Sequence, residues 1–219
     1  MSLQRISGID AFSSSFTPVS DDEIKRQQAA EMRNAVAKRL KLSGIEDEFC
    51  NASLDTCEQS IKDYAASLFA GDKHSLIIQG DTGNGKTYSA CAIAIKTMET
   101  APARFIDAAS LSSAALDDNY ASILKGTSLL ILDDLGNEKR SEWSNAFLFS
   151  LLKRRMANNK PTIITTQYTD QELAGLLSQS ADLAYRRTKA LLSRFSQNAI
   201  KVRLQGQDWR VKNKEKKDE

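Results

Sequence analysis

The chain has 219 residues, of which 41% are hydrophobic, and this suits one α/β domain with a short appendage. Its 30 Lys and Arg residues against 28 Asp and Glu leave a net charge of +2, so no overall field indicates a nucleic-acid binder. Three cysteines without C-x-x-C spacing and a single histidine lack the ligand spacing that is typical of a structural zinc site. No apolar run has the length of a membrane span, and we expect a cytoplasmic protein that makes no membrane contact.

Residues 1–42 are predicted to form a mobile tail followed by an amphipathic helix. The first twenty residues are polar and serine-rich, with little to bury. The capping-box sequence Ser20-Asp21-Asp22-Glu23 then begins a helix that carries Met32, Val36 and Leu40 on one face. This stripe either packs on the domain itself or docks a partner protein.

A short buried strand over residues 76–78 leads into a glycine-rich loop. From Gly80 to Thr87 the loop reads G-x-x-x-x-G-K-T, the spacing that cradles phosphates between a strand and a helix. Glycines let backbone amides approach the phosphates, and the following helix, predicted over residues 88–98, presents its amino-terminal end to the anion. Lys86 is expected to reach the β- and γ-phosphates, and the Thr87 hydroxyl to ligate Mg²⁺. The residues predicted to bind the nucleotide are Gly80, Asp81, Thr82, Gly83, Asn84, Gly85, Lys86 and Thr87.

Two further strands are predicted after the helix that follows the P-loop. The first covers residues 104–109, after which Ser110 is expected to cap a helix that runs towards Lys125. The second, residues 128–135, is the most apolar run in the chain and ends in Asp133 and Asp134. Two aspartates after a strand usually form a turn or a helix cap. After a P-loop they have a defined task, with Asp133 holding the Mg²⁺ shell and Asp134 orienting the attacking water.

A helix over residues 145–156 and a strand over residues 161–166 continue the alternation. Alternating strands and helices predict a parallel sheet that has helices on both faces and binds ligands at the carboxyl ends of its strands. The P-loop, the two aspartates and Thr166–Gln167 all lie at such ends. We therefore expect them to converge on one site.

The segment from Leu183 to Arg203 contains six basic residues and no acidic one. Such a run is usually a solvated face. Arg194 lies at the end of a predicted helix, ahead of a strand over residues 199–204, where it could face the phosphates of a neighbouring subunit. Its basic neighbours, or Arg194 itself, could instead contact DNA phosphates; these neighbours are Arg186, Arg187 and Lys189.

Taken together, these motifs resemble those of the DnaC/DnaI-type helicase loaders and their IstB-like transposition relatives, within the AAA+ ATPases. The resemblance covers roughly residues 43–210 and rests on the order of the motifs. They are Ser43-Gly44-Ile45, residues 49–53, the P-loop, residues 129–136 followed by Glu138-Lys139 and Ser141-Glu142-Trp143, residues 161–166, Ser193-Arg194-Phe195 and residues 206–210.

The resemblance implies an α/β fold of the P-loop AAA+ type, a three-layer sandwich with a mainly parallel five-stranded sheet. Residues 43–210 would form the ATPase domain, with a short helical extension before it, a charged tail over residues 211–219 after it, and no C-terminal helical lid. Residues 80–87 carry over as Walker A, Asp133 and Asp134 as Walker B, Thr166 and Gln167 as sensor 1, and Arg194 as an arginine finger acting in trans. Here Asp134 replaces the longer glutamate of many AAA+ enzymes, and Gln167 stands where the family often has asparagine.

The function implied is that of an Mg²⁺-dependent ATPase, slow and stimulated by assembly. It would bind a hexameric replicative helicase, with residues 1–42 as the candidate contact, and assist its loading onto single-stranded DNA while forming an ATP-dependent oligomer. Two alternatives stay open. One is an IstB-like regulator of transposition on duplex DNA, and the other is a plain nucleotide-binding switch.

Overall fold

Five parallel strands form the centre of the computed structural model, which describes residues 20–137, 142–177 and 182–205. The strands are β1 (Ser75–Gln79), β2 (Ala103–Asp107), β3 (Leu129–Asp133), β4 (Thr162–Thr166) and β5 (Ala199–Arg203). They lie in the order β2-β3-β4-β1-β5, and every neighbouring pair is parallel. The predicted five-stranded sheet is confirmed, and it is fully parallel.

Eight α-helices lie within the described residues. They are α1 (Asp21–Lys41), α2 (Gln59–Phe69), α3 (Lys86–Thr97), α4 (Leu111–Ala114), α5 (Asp118–Gly126), α6 (Glu142–Ala157), α7 (Asp170–Leu177) and α8 (Asp182–Gln197). Alternate residues of the central strands enter two separate apolar cores, since successive strand side chains point to opposite faces. Helices α2 and α3 cover one face, and helices α4 to α8 cover the other, which gives the predicted three-layer sandwich.

The single helix predicted after Ser110 is wrong. The chain forms α4 and α5 instead, and the Ser110 side chain makes no capping hydrogen bond. Asp117 interrupts the helix because its carboxylate accepts a hydrogen bond of 2.9 Å from the Tyr120 amide and so begins α5. Leu116, between the two helices, is 76% exposed.

Helix α1 begins at the predicted capping box, in which Ser20 and Glu23 bond each other reciprocally. Its carboxyl-terminal end is attached to the domain. Val36 and Leu40 pack against the core beneath α2 and α3, and the Arg39 guanidinium donates to the Met98 carbonyl. This part of the apolar stripe belongs to the domain itself.

The rest of α1 has no such attachment. Every residue from Asp21 to Asn34 is exposed, and Met32 keeps 46% of its surface in solvent. These 14 residues form roughly 20 Å of helix at 1.5 Å per residue. The apolar stripe is therefore packed on the domain at Val36 and Leu40 and exposed at Met32.

A fully buried arginine joins α6 to the sheet. Arg155 donates from Nε to the Thr162 hydroxyl at 2.8 Å, from Nη1 to the carbonyls of Leu124 and Thr127 at 2.8 and 3.0 Å, and from Nη2 to the Pro161 carbonyl at 2.6 Å. Burial lowers the pKa of Arg155 to about 10. The guanidinium thus ties the ends of α5 and α6 to the start of β4.

Several sequence predictions lie outside the described residues. They are the tail over residues 1–19, the motif residues 138–141, the motif over residues 206–210, the absence of a lid after β5 and the charged tail over residues 211–219.

Candidate nucleotide-binding site

The P-loop connects the end of β1 to the start of α3, as the glycine spacing predicted. Gly83 and Gly85 have φ values of 83° and 79°, a backbone conformation that residues with a side chain rarely adopt. Gly80 has φ 154°, and a Cβ atom there would lie 2.6 Å from the Leu204 carbonyl oxygen. The buried Asn84 amide donates to that same oxygen at 3.3 Å. Asn84 therefore anchors the loop to the chain after β5.

Lys86 and Thr87 occupy the first turn of α3. Lys86 is only 8% exposed, and its Nζ donates across the loop to the Asp81 carbonyl at 2.7 Å. The Thr87 hydroxyl donates to Oδ2 of Asp133 at 3.1 Å, which joins the P-loop to the end of β3. The structure thus brings together the hydroxyl and the carboxylate that the sequence assigned to Mg²⁺.

Thr165 on β4 braces both aspartates. Its hydroxyl donates to Oδ1 of Asp133 at 2.6 Å and accepts from the Asp134 amide at 2.9 Å. Burial raises the pKa of Asp133, while hydrogen bonds from Thr165 and Thr87 oppose that rise. Sequence reasoning passed over Thr165. In the structure Thr165 lies on the same face of the sheet as Asp133, but the uniformly buried run of β4 does not reveal this phase in the sequence.

Thr166 points the other way. It is fully buried, and its hydroxyl donates to the Leu135 carbonyl at 2.7 Å and accepts from the Tyr168 amide at 3.1 Å. These contacts fix the turn after β4 and do not support the catalytic role expected for the Thr166 side chain. Gln167 does face the P-loop, because its Oε1 accepts from the Thr82 hydroxyl at 3.4 Å.

Asp134 adopts a left-handed backbone conformation, with φ 54°. Such a conformation is uncommon for a residue with a side chain and is often found at functional sites. The Asp134 amide is held by Thr165, and its carboxylate accepts a hydrogen bond of 2.7 Å from the Asn137 amide. The second acid therefore lies in a fixed turn directly after β3.

Arg194 lies away from the P-loop of its own chain. Its side chain is exposed, and no side-chain hydrogen bond or ion pair joins it to another residue of the described part. It comes five residues before Ala199, which pairs with Ser75 at the start of β1, whereas the P-loop follows the end of β1. The start and the end of β1 are separated by the length of a five-residue strand, about 16 Å. Any contact between Arg194 and a nucleotide would thus involve the site of another subunit.

The donor set fits a magnesium ion bound together with phosphates. Within the described ranges, no group of three or more His, Cys, Asp and Glu side chains is arranged to hold a metal alone. Thr87 and Asp133 supply two oxygen ligands, and Mg²⁺ commonly takes one or two protein oxygens together with substrate phosphates.

In this sheet, β4 lies between β1, which leads into the phosphate loop, and β3, which ends in the carboxylates. The phosphate loop and the facing carboxylates define a P-loop nucleotide-binding protein. The model of the family described as IstB-like ATP binding protein matches residues 19–217, and the chain belongs to this family.

Curated relatives of the chain are helicase loaders. The chain is 22% identical over 151 residues to the replicative helicase loader DnaC of Escherichia coli (strain K12), covering 64% of this chain and 62% of DnaC. It is 27% identical over 165 residues to the replicative helicase loader DnaI of Bacillus subtilis (strain 168), covering 69% of this chain and 53% of DnaI. The chain thus spans less than two thirds of the length of either relative.

A crystal structure of DnaI superimposes with a TM-score of 0.65 at 22% identity, covering 74% of this chain and 96% of that one. At this identity the likeness establishes the fold.

Among the helices of the described residues, none has the length and apolar character to cross a membrane.

Proposed function

We propose that this protein is an ATP-dependent helicase loader, which binds a hexameric replicative helicase and assists its loading onto single-stranded DNA. The observation that carries the proposal is the 3.1 Å contact between Thr87 and Asp133 beside the P-loop. This contact equips an IstB-like ATP-binding fold with a site for a nucleotide and its metal. Two curated relatives, DnaC and DnaI, are named as replicative helicase loaders.

In this proposal the site hydrolyses ATP slowly. Thr87 and Asp133 would hold Mg²⁺, which when bound would neutralise charge on the phosphates, and Lys86 would contact the β- and γ-phosphates. Asp134 orients the attacking water, and Gln167 donates to the terminal phosphate. Because the Asp134 carboxylate is one methylene shorter than that of glutamate, we expect low turnover that suits a switch.

Arg194 completes the site of a neighbouring subunit. An exposed guanidinium without an intramolecular partner among the described residues is available to stabilise charge on a phosphoryl group across an interface. Hydrolysis would therefore report assembly into an ATP-dependent oligomer.

Residues 1–42 are the proposed helicase-binding segment, and the exposed part of α1 is its contact. A helix that projects Ile24 and Met32 into solvent, with 41% and 46% of their surfaces exposed, has the form of a helix-in-groove ligand. The attached end at Val36 and Leu40 would fix this helix relative to the ATPase domain.

A transposition regulator is the second candidate, favoured by membership of the IstB-like family itself. One experiment separates the two: capture of the purified cognate helicase on the tagged protein, measured beside its binding to single- and double-stranded DNA. Helicase capture with preference for single strands supports the loader. Absence of capture with preference for duplex DNA would transfer the proposal to transposition.

A further inference from the structure

A chain of side-chain hydrogen bonds joins Asp134 to the phosphate loop. At its centre is Asn137, which no sequence motif indicated. The Asn137 side-chain amide donates to Oδ2 of Asp134 at 2.7 Å, and the Asn137 backbone N–H donates to the Asp134 carbonyl at 3.3 Å. One residue therefore holds both the carboxylate and the backbone of the acid assigned to water orientation.

The opposite side of Asn137 faces the turn after β4. Its Oδ1 accepts hydrogen bonds from Nε2 of Gln167 at 3.1 Å and from the Tyr168 hydroxyl at 3.0 Å. Gln167 in turn accepts from the Thr82 hydroxyl of the P-loop at 3.4 Å. Polar contacts thus run without a break from Thr82 through Gln167 and Asn137 to Asp134.

The amide hydrogens of Gln167 are fully used in this arrangement. A glutamine amide carries two, and here they are directed at Asn137 Oδ1 and at the Tyr168 hydroxyl, 3.1 and 3.2 Å away. A Gln167 that donates to a phosphate must release one of these partners. Both Gln167 and Asn137 are exposed, so water can replace a released bond at small cost.

The backbone around Asn137 leaves little room for movement. Leu135 is fully buried, and its amide donates to the Thr165 carbonyl at 2.9 Å. Gly136 has φ 110°, and a Cβ atom there would lie 2.5 Å from the Tyr168 ring. A change at Gln167 must therefore be taken up by side chains, and the Asn137 side chain is the one that touches Asp134.

We propose that Asn137 is a positioning residue that couples Gln167 to the carboxylate of Asp134. This inference rests on the proposed function, in which this site hydrolyses ATP. Asn137 holds the Asp134 carboxylate in the orientation that positions the attacking water. When Gln167 contacts a terminal phosphate, its hydrogen bond to Asn137 changes, and the hydrogen bond from Asn137 to Asp134 changes with it. The orientation of Asp134 then differs between the ATP and ADP forms.

The kinetic test compares Asn137→Ala with Asn158→Ala. Asn158 is also exposed, and its amide donates to the Arg154 carbonyl at 2.9 Å on α6, remote from the site. We expect Asn137→Ala to lower kcat about tenfold, the effect of losing a hydrogen bond to a charged group, with the KM for ATP changed by less than about twofold. The Asn158 variant should match the wild type. An unchanged kcat for Asn137→Ala, or a loss confined to KM, would overturn the positioning role.

The second readout does not depend on turnover. In ¹⁵N-labelled protein, the side-chain amide signals of Asn137 are identified by their loss in Asn137→Ala. They should differ between the ADP complex and the complex with a non-hydrolysable ATP analogue, and Gln167→Ala should abolish the difference. Identical signals in both complexes would reject the coupling while leaving ATP hydrolysis in place. A wild-type protein that binds no ATP would instead reject the proposed function, and this inference with it.

Discussion

The Thr165 hydroxyl donates a 2.6 Å hydrogen bond to the Asp133 carboxylate. The same oxygen accepts from the Asp134 amide, so one side chain of β4 fixes both acids that end β3. The relative positions of the two strands thus determine the geometry of the site.

Thr165→Val is expected to lower ATP turnover and to reduce the free energy of unfolding by about 1–3 kcal/mol, since it removes one of the two hydroxyl donors to the buried Asp133 carboxylate and leaves only Thr87. Thr165→Ser retains the hydroxyl and is the control. Denaturant unfolding and steady-state hydrolysis measure the two effects. If valine and serine behaved alike in both assays, the bond to Asp133 would have no energetic role.

Asp133→Asn is expected to stabilise the protein near neutral pH in buffer without nucleotide or magnesium. Burial raises the pKa of Asp133, so the ionised carboxylate costs free energy in the folded state. That cost is present above the raised pKa and fades as the pH falls through it towards the ordinary aspartate value, below which folded and unfolded states are both protonated. Urea unfolding from about pH 8 to about pH 4 follows the difference between the two proteins. A pH-independent gain would indicate altered packing instead.

Arg155→Lys is expected to cost about 3 kcal/mol or more of unfolding free energy. A lysine ammonium cannot reproduce the planar set of donors that reaches Thr162 and three backbone carbonyls. Arg154→Lys, at the exposed neighbouring position, is the matched control and should change stability by less than about 0.5 kcal/mol. Equal stability of the two variants would show that the buried bonds contribute little.

Arg194→Ala is expected to bind ATP nearly as well as the wild type and to lose assembly-stimulated hydrolysis by as much as about 10³-fold. Lys86→Ala should instead lose ATP binding. Mixing the two inactive variants forms interfaces between an intact P-loop and an intact arginine, and some hydrolysis should return. If the mixture stays inactive and Arg194→Ala shows a weaker salt dependence of DNA binding, the arginine serves DNA instead.

Met32→Glu is expected to prevent helicase capture while leaving ATP binding and stability unchanged. Val36→Glu, one turn later on the same stripe, should destabilise the domain because Val36 packs on the core. Deleting residues 1–34 should act like Met32→Glu, since it removes only the exposed part of α1. Aggregation or loss of nucleotide affinity in the deletion would assign the whole helix to the core.

Much of this fold could be predicted from local patterns. Apolar runs predicted the strands, and glycine spacing located the P-loop, because each of these signals is contained in a few consecutive residues. The break at Asp117 was missed, although an N-cap aspartate is also a local signal, since the apolar periodicity continues across it.

The contacts of the site were harder to predict. Thr165 bonds an aspartate 32 residues away in sequence, and Gln167 bonds Asn137 over 30 residues. Which of two adjacent threonines faces the site depends on the phase of β4 in the sheet, and a run of buried β-branched residues does not reveal that phase. The burial of Arg155 was not predicted for a different reason, because arginine in a helix normally indicates a solvated position.

The P-loop follows the carboxyl end of β1, whereas Arg194 precedes the amino end of β5, so the two lie at opposite ends of the parallel strands. This separation determines how many complete nucleotide sites an assembly of subunits contains. If Arg194 serves the nucleotide site of a neighbouring subunit, as proposed, joining subunits head to tail supplies one arginine to one nucleotide at each junction. An open row always ends with one nucleotide site that lacks an arginine and one arginine without a site, whereas a closed ring leaves neither. Hydrolysis per subunit would then rise with the length of a row and reach its limit only on closure, so the rate itself would measure whether the assembly is open or closed.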